Sequence, residues 1–129
     1  MTIEIGQQQK LFSLSEARAH LALVQAITKR HQVSLAPIQD RLKKMLSNDP
    51  RRMAVESEYE AIVSKWKIKI EQLGACVQGL WVVEFNLGEA VLCWRYPELS
   101  LNYVREQQQQ FSERQKLQGY IEVHDPDWA

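Results

Sequence analysis

The chain runs to 129 residues, with 16 Lys and Arg against 16 Asp and Glu and a hydrophobic content of 45%. That length predicts one domain, residues 1–129, which buries roughly two thirds of its unfolded surface without help from a disulfide or a metal. A formal net charge of zero gives no electrostatic case for nucleic acid or an acidic membrane, and the apolar content excludes a disordered chain.

Met1 to Lys10 holds neither a basic leader nor a long apolar stretch, so it does not read as a signal peptide. No apolar run of about 18 residues occurs, so no membrane span is predicted and the expected location is the cytoplasm. Lys10 to Phe12 is expected to be a short strand leading into a helix. Ser13-Leu14-Ser15-Glu16 has the form of a capping box, with Phe12 and Ala17 placed as a hydrophobic staple.

Leu14, Ala17, Leu21, Val24, Thr28, His31, Leu35, Ile38, Leu42 and Met45 then recur at alternating steps of three and four, the period of a helical seam. Pro37 interrupts the chemistry but not the phase. Either one long helix kinks there or a second begins at Ser34; the continuous phase favours near-coaxial helices with a kink. The polar members Thr28 and His31 mark a weak point before it. Asp49-Pro50 predicts a helix N-cap followed by proline in the first turn, and Pro50 to Leu73 a second helix with Val55, Tyr59, Ile62, Trp66, Ile70 and Leu73 on one face. Gly74 stands where a C-cap glycine belongs. Two long helices joined by a short turn form an antiparallel hairpin, placed at about residues 14–73.

After Gly74 the period changes. Leu80 to Phe85 and Ala90 to Tyr96, separated by Asn86-Leu87-Gly88-Glu89, predict a β-hairpin that opens a β-rich part at about residues 80–123. Pro97 ends the second strand. Leu99, Leu101 and Tyr103 alternate with polar residues and predict a third strand that stops at Arg105-Glu106. Gln107 to Gln110 reads as a polar loop, Tyr120 to Val123 as a last short strand, and His124 to Asp127 as a loose tail. The expected fold is α+β, a long antiparallel helical hairpin packed with a small, mostly antiparallel sheet.

From Leu11 to Leu117 these residues resemble an uncharacterised bacterial family, domain of unknown function 2203. Phe12-Ser13-Leu14-Ser15-Glu16-Ala17 is similar to the family's F-T-L-x-E-A opening. Leu80 to Phe85 and Leu92-Cys93-Trp94-Arg95 with Glu98 are similar to its G-L-V-D-F strand and L-C-W-R-x-x-E segment, and Phe111 and Arg114 to its closing Gly-Phe-x-x-Arg element. The chain departs from the pattern in four places: Val104-Arg105 stands for Trp-His, Gln110 for glycine, Glu84 for aspartate and Asn86 for proline. The resemblance implies the fold and no activity. Chemistry resting on the family's histidine would be lost here.

The residues able to carry a site are Glu84, Arg95, Glu98, Arg105 and Arg114. Arginines beside carboxylates can grip an anionic ligand by paired N–H contacts, or they can form a salt-bridge network at the sheet rim, the commoner outcome. Cys93 and Arg95 share one strand face and Trp94 the other. Trp81 and Trp94 are either a stacking platform or core. Cys76 and Cys93 read as two buried thiols. His20, His31 and His124 fall at no metal-binding spacing, and no nucleophile elbow, phosphate loop or dinucleotide turn occurs. The basic pieces Lys29-Arg30, Lys43-Lys44, Arg51-Arg52 and Lys65, Lys67, Lys69 are interleaved with acids and read as a solvated face. No catalytic residue, metal or cofactor is expected, and the pattern leans away from an enzyme. The leading expectation is an interaction or scaffold protein that forms a homodimer through its helical hairpin, with another protein as a further possible partner. A small-molecule or anion-binding protein using the Arg/Glu cluster is the alternative, and nucleic acid held at Arg51-Arg52 a third.

Overall fold

The computed structural model describes residues 10–129; the reading of the N-terminus as free of a signal peptide lies, apart from Lys10, outside the described residues. The elements follow in the order α1 (Leu14–Lys44), α2 (Arg52–Gln72), β1 (Cys76–Gly79), β2 (Val82–Asn86), β3 (Ala90–Arg95), β4 (Tyr103–Glu106), a 3₁₀ turn (Phe111–Glu113), β5 (Gln115–Lys116) and α3 (Leu117–His124). The fold is α+β. Two long helices pack on each other, and the five strands form an antiparallel meander in the order β1-β2-β3-β4-β5.

The capping box starts α1: Glu16 N donates to Ser13 Oγ at 3.1 Å and Ser13 N donates to Glu16 Oε1 at 3.0 Å, satisfying two of the first-turn donors. The preceding Lys10 to Phe12 is not a strand; it makes one backbone bond to the sheet, from Phe12 N to Asn86 O at 2.8 Å. Pro37 lies inside a single helix. It removes the bond that Val33 O would accept, but both residues are exposed, so water can meet that carbonyl. The first eight members of the seam, Leu14 to Ile38, are buried. Leu42 and Met45, nearer the tip, are only half-buried.

The polar seam residues are satisfied. Thr28 Oγ1 accepts from Trp66 Nε1 at 2.9 Å, and His31 Nδ1 bonds Ile27 O at 2.7 Å. At the tip, Asp49 Oδ1 accepts from Arg51 N at 2.8 Å, and Pro50 and Arg51 form a turn ahead of α2 rather than its first residues. At the other end Gly74 has φ +93°, and a Cβ there would come within 2.8 Å of Lys10 Cβ. Both facts require glycine.

Three expectations for the β-rich part are corrected. Strand β1, which the sequence did not announce, precedes the expected hairpin, and Leu80-Trp81 is the turn joining β1 to β2, with Trp81 at φ +62°. The strand after Pro97 is Tyr103–Glu106 rather than Leu99 to Tyr103: Leu99 is 90% exposed, whereas Val104 joins the core and Arg105 finds a partner across the sheet. Tyr120 to Val123 is helix, not strand. Leu117, Tyr120 and Ile121 fall on one helical stripe, with the first two buried and the third packed against the core. The tail is also pinned rather than loose. Leu14 N donates to Trp128 O at 2.9 Å, and the Trp128 ring stacks on Tyr120 with centroids 5.9 Å apart.

The register separates two sheet faces. Phe85, Leu92 and Val104 are cross-strand neighbours and pack into one core with Ala17, Leu21, Val24, Trp66 and Ile70. This core ends near the Thr28–Trp66 level. Beyond it His31, Leu35, Ile38 and Val55 are buried between two helices alone. From Thr28 to Lys44 this two-helix arm is about 25 Å long at 1.5 Å per residue.

Candidate functional site

The opposite sheet face carries the row Cys76, Glu84, Cys93, Tyr103 and Lys116, each the cross-strand neighbour of the next. Arg95 and Arg105 lie two residues along from Cys93 and Tyr103, so they share this face. The loop from Gln107 to Arg114 folds back over it. All five predicted site residues, Glu84, Arg95, Glu98, Arg105 and Arg114, therefore belong to one side of the sheet, grouped as two ion pairs and one remaining arginine.

The inner pair is Arg105–Glu84. Arg105 Nε and Nη2 donate to the two carboxylate oxygens at 2.8 and 2.7 Å, the parallel two-bond geometry that arginine favours. Its remaining nitrogen, Nη1, donates to the backbone oxygens of Glu106, Gln107 and Gln109 at 3.1, 3.1 and 2.8 Å. Glu84 is 2% exposed. The carboxylate raises the Arg105 pKa above its ordinary value, against the opposing pull of burial. Every nitrogen of this guanidinium has a partner inside the protein, so it clamps the loop onto the sheet.

The outer pair is Arg114–Glu98, again with two bonds, 3.2 and 2.7 Å. The Arg114 guanidinium lies over two rings, 4.2 Å from the centroid of Tyr103 and 4.5 Å from that of Phe111. Arg95 is different. Its backbone N–H donates to Glu98 Oε1 at 3.0 Å, and its exposed guanidinium lies 5.0 Å from the Phe111 ring centroid. Among the described residues it has no carboxylate partner.

Cys93 sits fully buried between the pairs, its thiol donating to Glu84 Oε2 at 3.5 Å. Burial, and then the neighbouring carboxylate, push its pKa up to about 12. At neutral pH it is a thiol and a poor nucleophile. Cys76 is half-buried two strands away, about 10 Å at normal strand spacing, beyond the reach of a disulfide. Trp94 is core, its Nε1 donating to Glu98 O at 2.8 Å. Trp81 packs edge-on against Trp66 at 4.9 Å. His20, His31 and His124 each bond a carbonyl one helical turn earlier. Among the described residues no group of three His, Cys, Asp or Glu could hold a metal. At the arm's tip, Arg51 holds the Asp49 carboxylate, and Arg52 donates to Leu42 O and Met45 O and pairs with Glu56 at 3.3 Å. Both tip arginines fasten the turn itself.

Sequence reasoning missed Tyr103 and the carbonyls of Gln107 and Gln109. The Phe111-x-x-Arg114 spacing was the one signal that this loop belongs with the arginines. The structure also connects three of the departures from the pattern the chain resembles. Glu84 and Arg105 bond each other, and Asn86 Oδ1 accepts from Gln107 Nε2 at 2.8 Å, so all three help hold one loop.

A separate surface cavity of 720 Å³ lies between α1, β4 and α3, lined by Arg18, Tyr103, Lys116 and Ile121 among others. The model of an uncharacterised conserved protein family, domain of unknown function 2203, matches residues 10–117. No curated protein and no solved structure matches the chain.

Proposed function

We propose, on the premise that the chain belongs to the family domain of unknown function 2203, that it is a non-enzymatic interaction protein that self-associates through its helical hairpin. The observation that carries this reading is the two-helix arm. Past Thr28 and Trp66 the seam has no sheet behind it, and Val33, Leu46 and Met53 remain 60%, 73% and 78% exposed. A second copy covering the arm would bury apolar surface that two helices leave open. No helix among the described residues is long and apolar enough to cross a membrane; a cytoplasmic location accompanies the reading. Light scattering behind size exclusion tests it. A dimer at micromolar concentration is expected, and a clean monomer there sinks it.

The competing reading, an anion-binding protein, rests on Arg95, the arginine of the cluster whose guanidinium has no carboxylate partner among the described residues. It requires phosphate or a small carboxylate to raise the melting temperature of the native chain and to leave that of Arg95→Ala unchanged.

A further inference from the structure

The net charge of zero hides a separation that becomes visible once the arm is defined. Between Thr28 and Trp66, the bounds of the arm, the sequence holds eight Lys and Arg against five Asp and Glu, a surplus of three positive charges. Since the whole chain balances at 16 against 16, the remainder carries an equal negative surplus. The arm's internal ion pairs are Arg41–Glu58, Arg51–Asp49 and Arg52–Glu56. They leave Lys29, Lys43, Lys44 and Lys65 exposed and outside any ion pair among the described residues.

The negative surplus also has a place. Strand pairing sets Ala90 opposite Glu106, so Glu89 and Glu106 are neighbours at one end of the sheet. Glu89 lines a surface cavity of 510 Å³ together with Asp127. Tyr120 stacks on Trp128, beside Asp127, so the end of α3, with Asp125 at its cap, reaches the same side. Burial, and behind it Glu106 and Glu89, raise the pKa of the Tyr120 phenol. None of Glu89, Glu106, Asp125 or Asp127 makes an ion pair among the described residues. The inner and outer carboxylates Glu84 and Glu98 are neutralised by arginine and add little to this field.

We infer that the surface a second copy presents to the basic arm is this acidic end, so that each arm lies against the other copy's Glu89–Asp127 side in a reciprocal, closed dimer. The inference rests on the self-association reading above and adds the identity of the docking face. A contact of arm on acidic end, made twice about a two-fold axis, satisfies both surpluses and leaves no unused face to propagate a filament. Arm-to-arm pairing would instead bring two positive surpluses together. Nucleic acid suits the lysines alone, and the chain's own acidic end opposes it.

The test uses the full chain in two charge-reversed forms, Lys29→Glu/Lys43→Glu on the arm, two heptads apart on one face of α1, and Glu89→Lys/Asp127→Lys on the acidic end. In sedimentation or light scattering, the native dimer's dissociation constant is expected to rise at least about tenfold between about 50 and about 500 mM salt, as screening shortens from beyond 10 Å to a few ångström. Each variant alone is expected to be monomeric. Their equimolar mixture is expected to form a 1:1 heterodimer, because each arm then meets an oppositely charged end. Misfolded variants cannot give that rescue. A dimer indifferent to salt and to both reversals overturns the inference and leaves self-association standing. A monomer at every salt concentration overturns both. A monomer whose Lys29/Lys43 surface binds a mixed-sequence duplex overturns both in favour of a phosphate-backbone partner.

Discussion

The α1–α2 hairpin is packed in two different ways along its length. At its base, Ala17, Leu21, Val24, Trp66 and Ile70 meet Phe85, Leu92 and Val104 of the sheet, and large side chains such as Trp66, Trp94 and Phe85 vanish from solvent. In the arm, Leu35, Ile38 and Val55 are sealed by the facing helix alone, and apolar neighbours stay wet. The seam period is the same in both halves. Burial depends on whether a third layer stands behind the helices, and a helical period cannot announce that.

The comparison predicts unequal responses. The largest is at the base. Trp94→Ala removes a fully buried ring and is expected to cost about 4 kcal/mol in urea denaturation; a loss below about 2 would mean the base is no better packed than the arm. Next comes the covered sheet face. Glu84→Leu leaves the Arg105 guanidinium without its carboxylate and is expected to cost about 3 kcal/mol, while Glu84→Leu with Arg105→Met recovers most of it. No recovery would show that the pair's work lies in holding the Gln107–Gln109 carbonyls. In the arm, Leu35→Ala is expected to cost about 2 kcal/mol, the low end of its range, because a two-layer site collapses more readily. Asp49 at the tip gives the smallest effect. Hydrogen bonds from the Arg51 side chain and backbone lower its pKa from 3.8 to about 2. Its contribution is therefore complete above pH 3.8 and lost as pH falls through about 2, and Asp49→Asn should flatten that acid limb without moving the neutral melting temperature by more than a degree or two.

The parts of the fold legible in the sequence were those fixed by neighbours in the chain. The Ser13–Glu16 box, the seam, the C-cap at Gly74 and the β2–β3 hairpin all rest on contacts within a few residues. The misread parts rest on distant partners. Arg105 and Glu106 look like the end of a strand until Glu84, 21 residues away, neutralises the arginine. Cys76 to Gly79 carries no apolar alternation and becomes a strand only because β2 returns alongside it. Tyr120 to Val123 has β-branched composition, yet Leu117, Tyr120 and Ile121 pack as a helical stripe. The structure places the five candidate residues on one side of the sheet. Their sharing of one face followed from strand parity for Cys93 and Arg95, whereas the pairing of each arginine with its own glutamate required the register of β2, β3 and β4. The charge separation was present in the sequence too, but a total over the whole chain averages it away.

The bond from Trp66 Nε1 to Thr28 Oγ1 bears on a hazard particular to such hairpins. A seam that repeats every seven residues lets one helix slide past the other by a heptad and meet equivalent apolar partners. Slid by seven in either direction, Trp66 would face Leu21 or Leu35, neither of which offers an acceptor, and its indole N–H would be stranded at about 1–3 kcal/mol. Thr28 thus acts as the notch of a vernier, selecting one alignment among several that hydrophobicity alone would treat alike. A polar residue that looks like a flaw in an apolar series is what makes the two helices agree on where each other's ends should be.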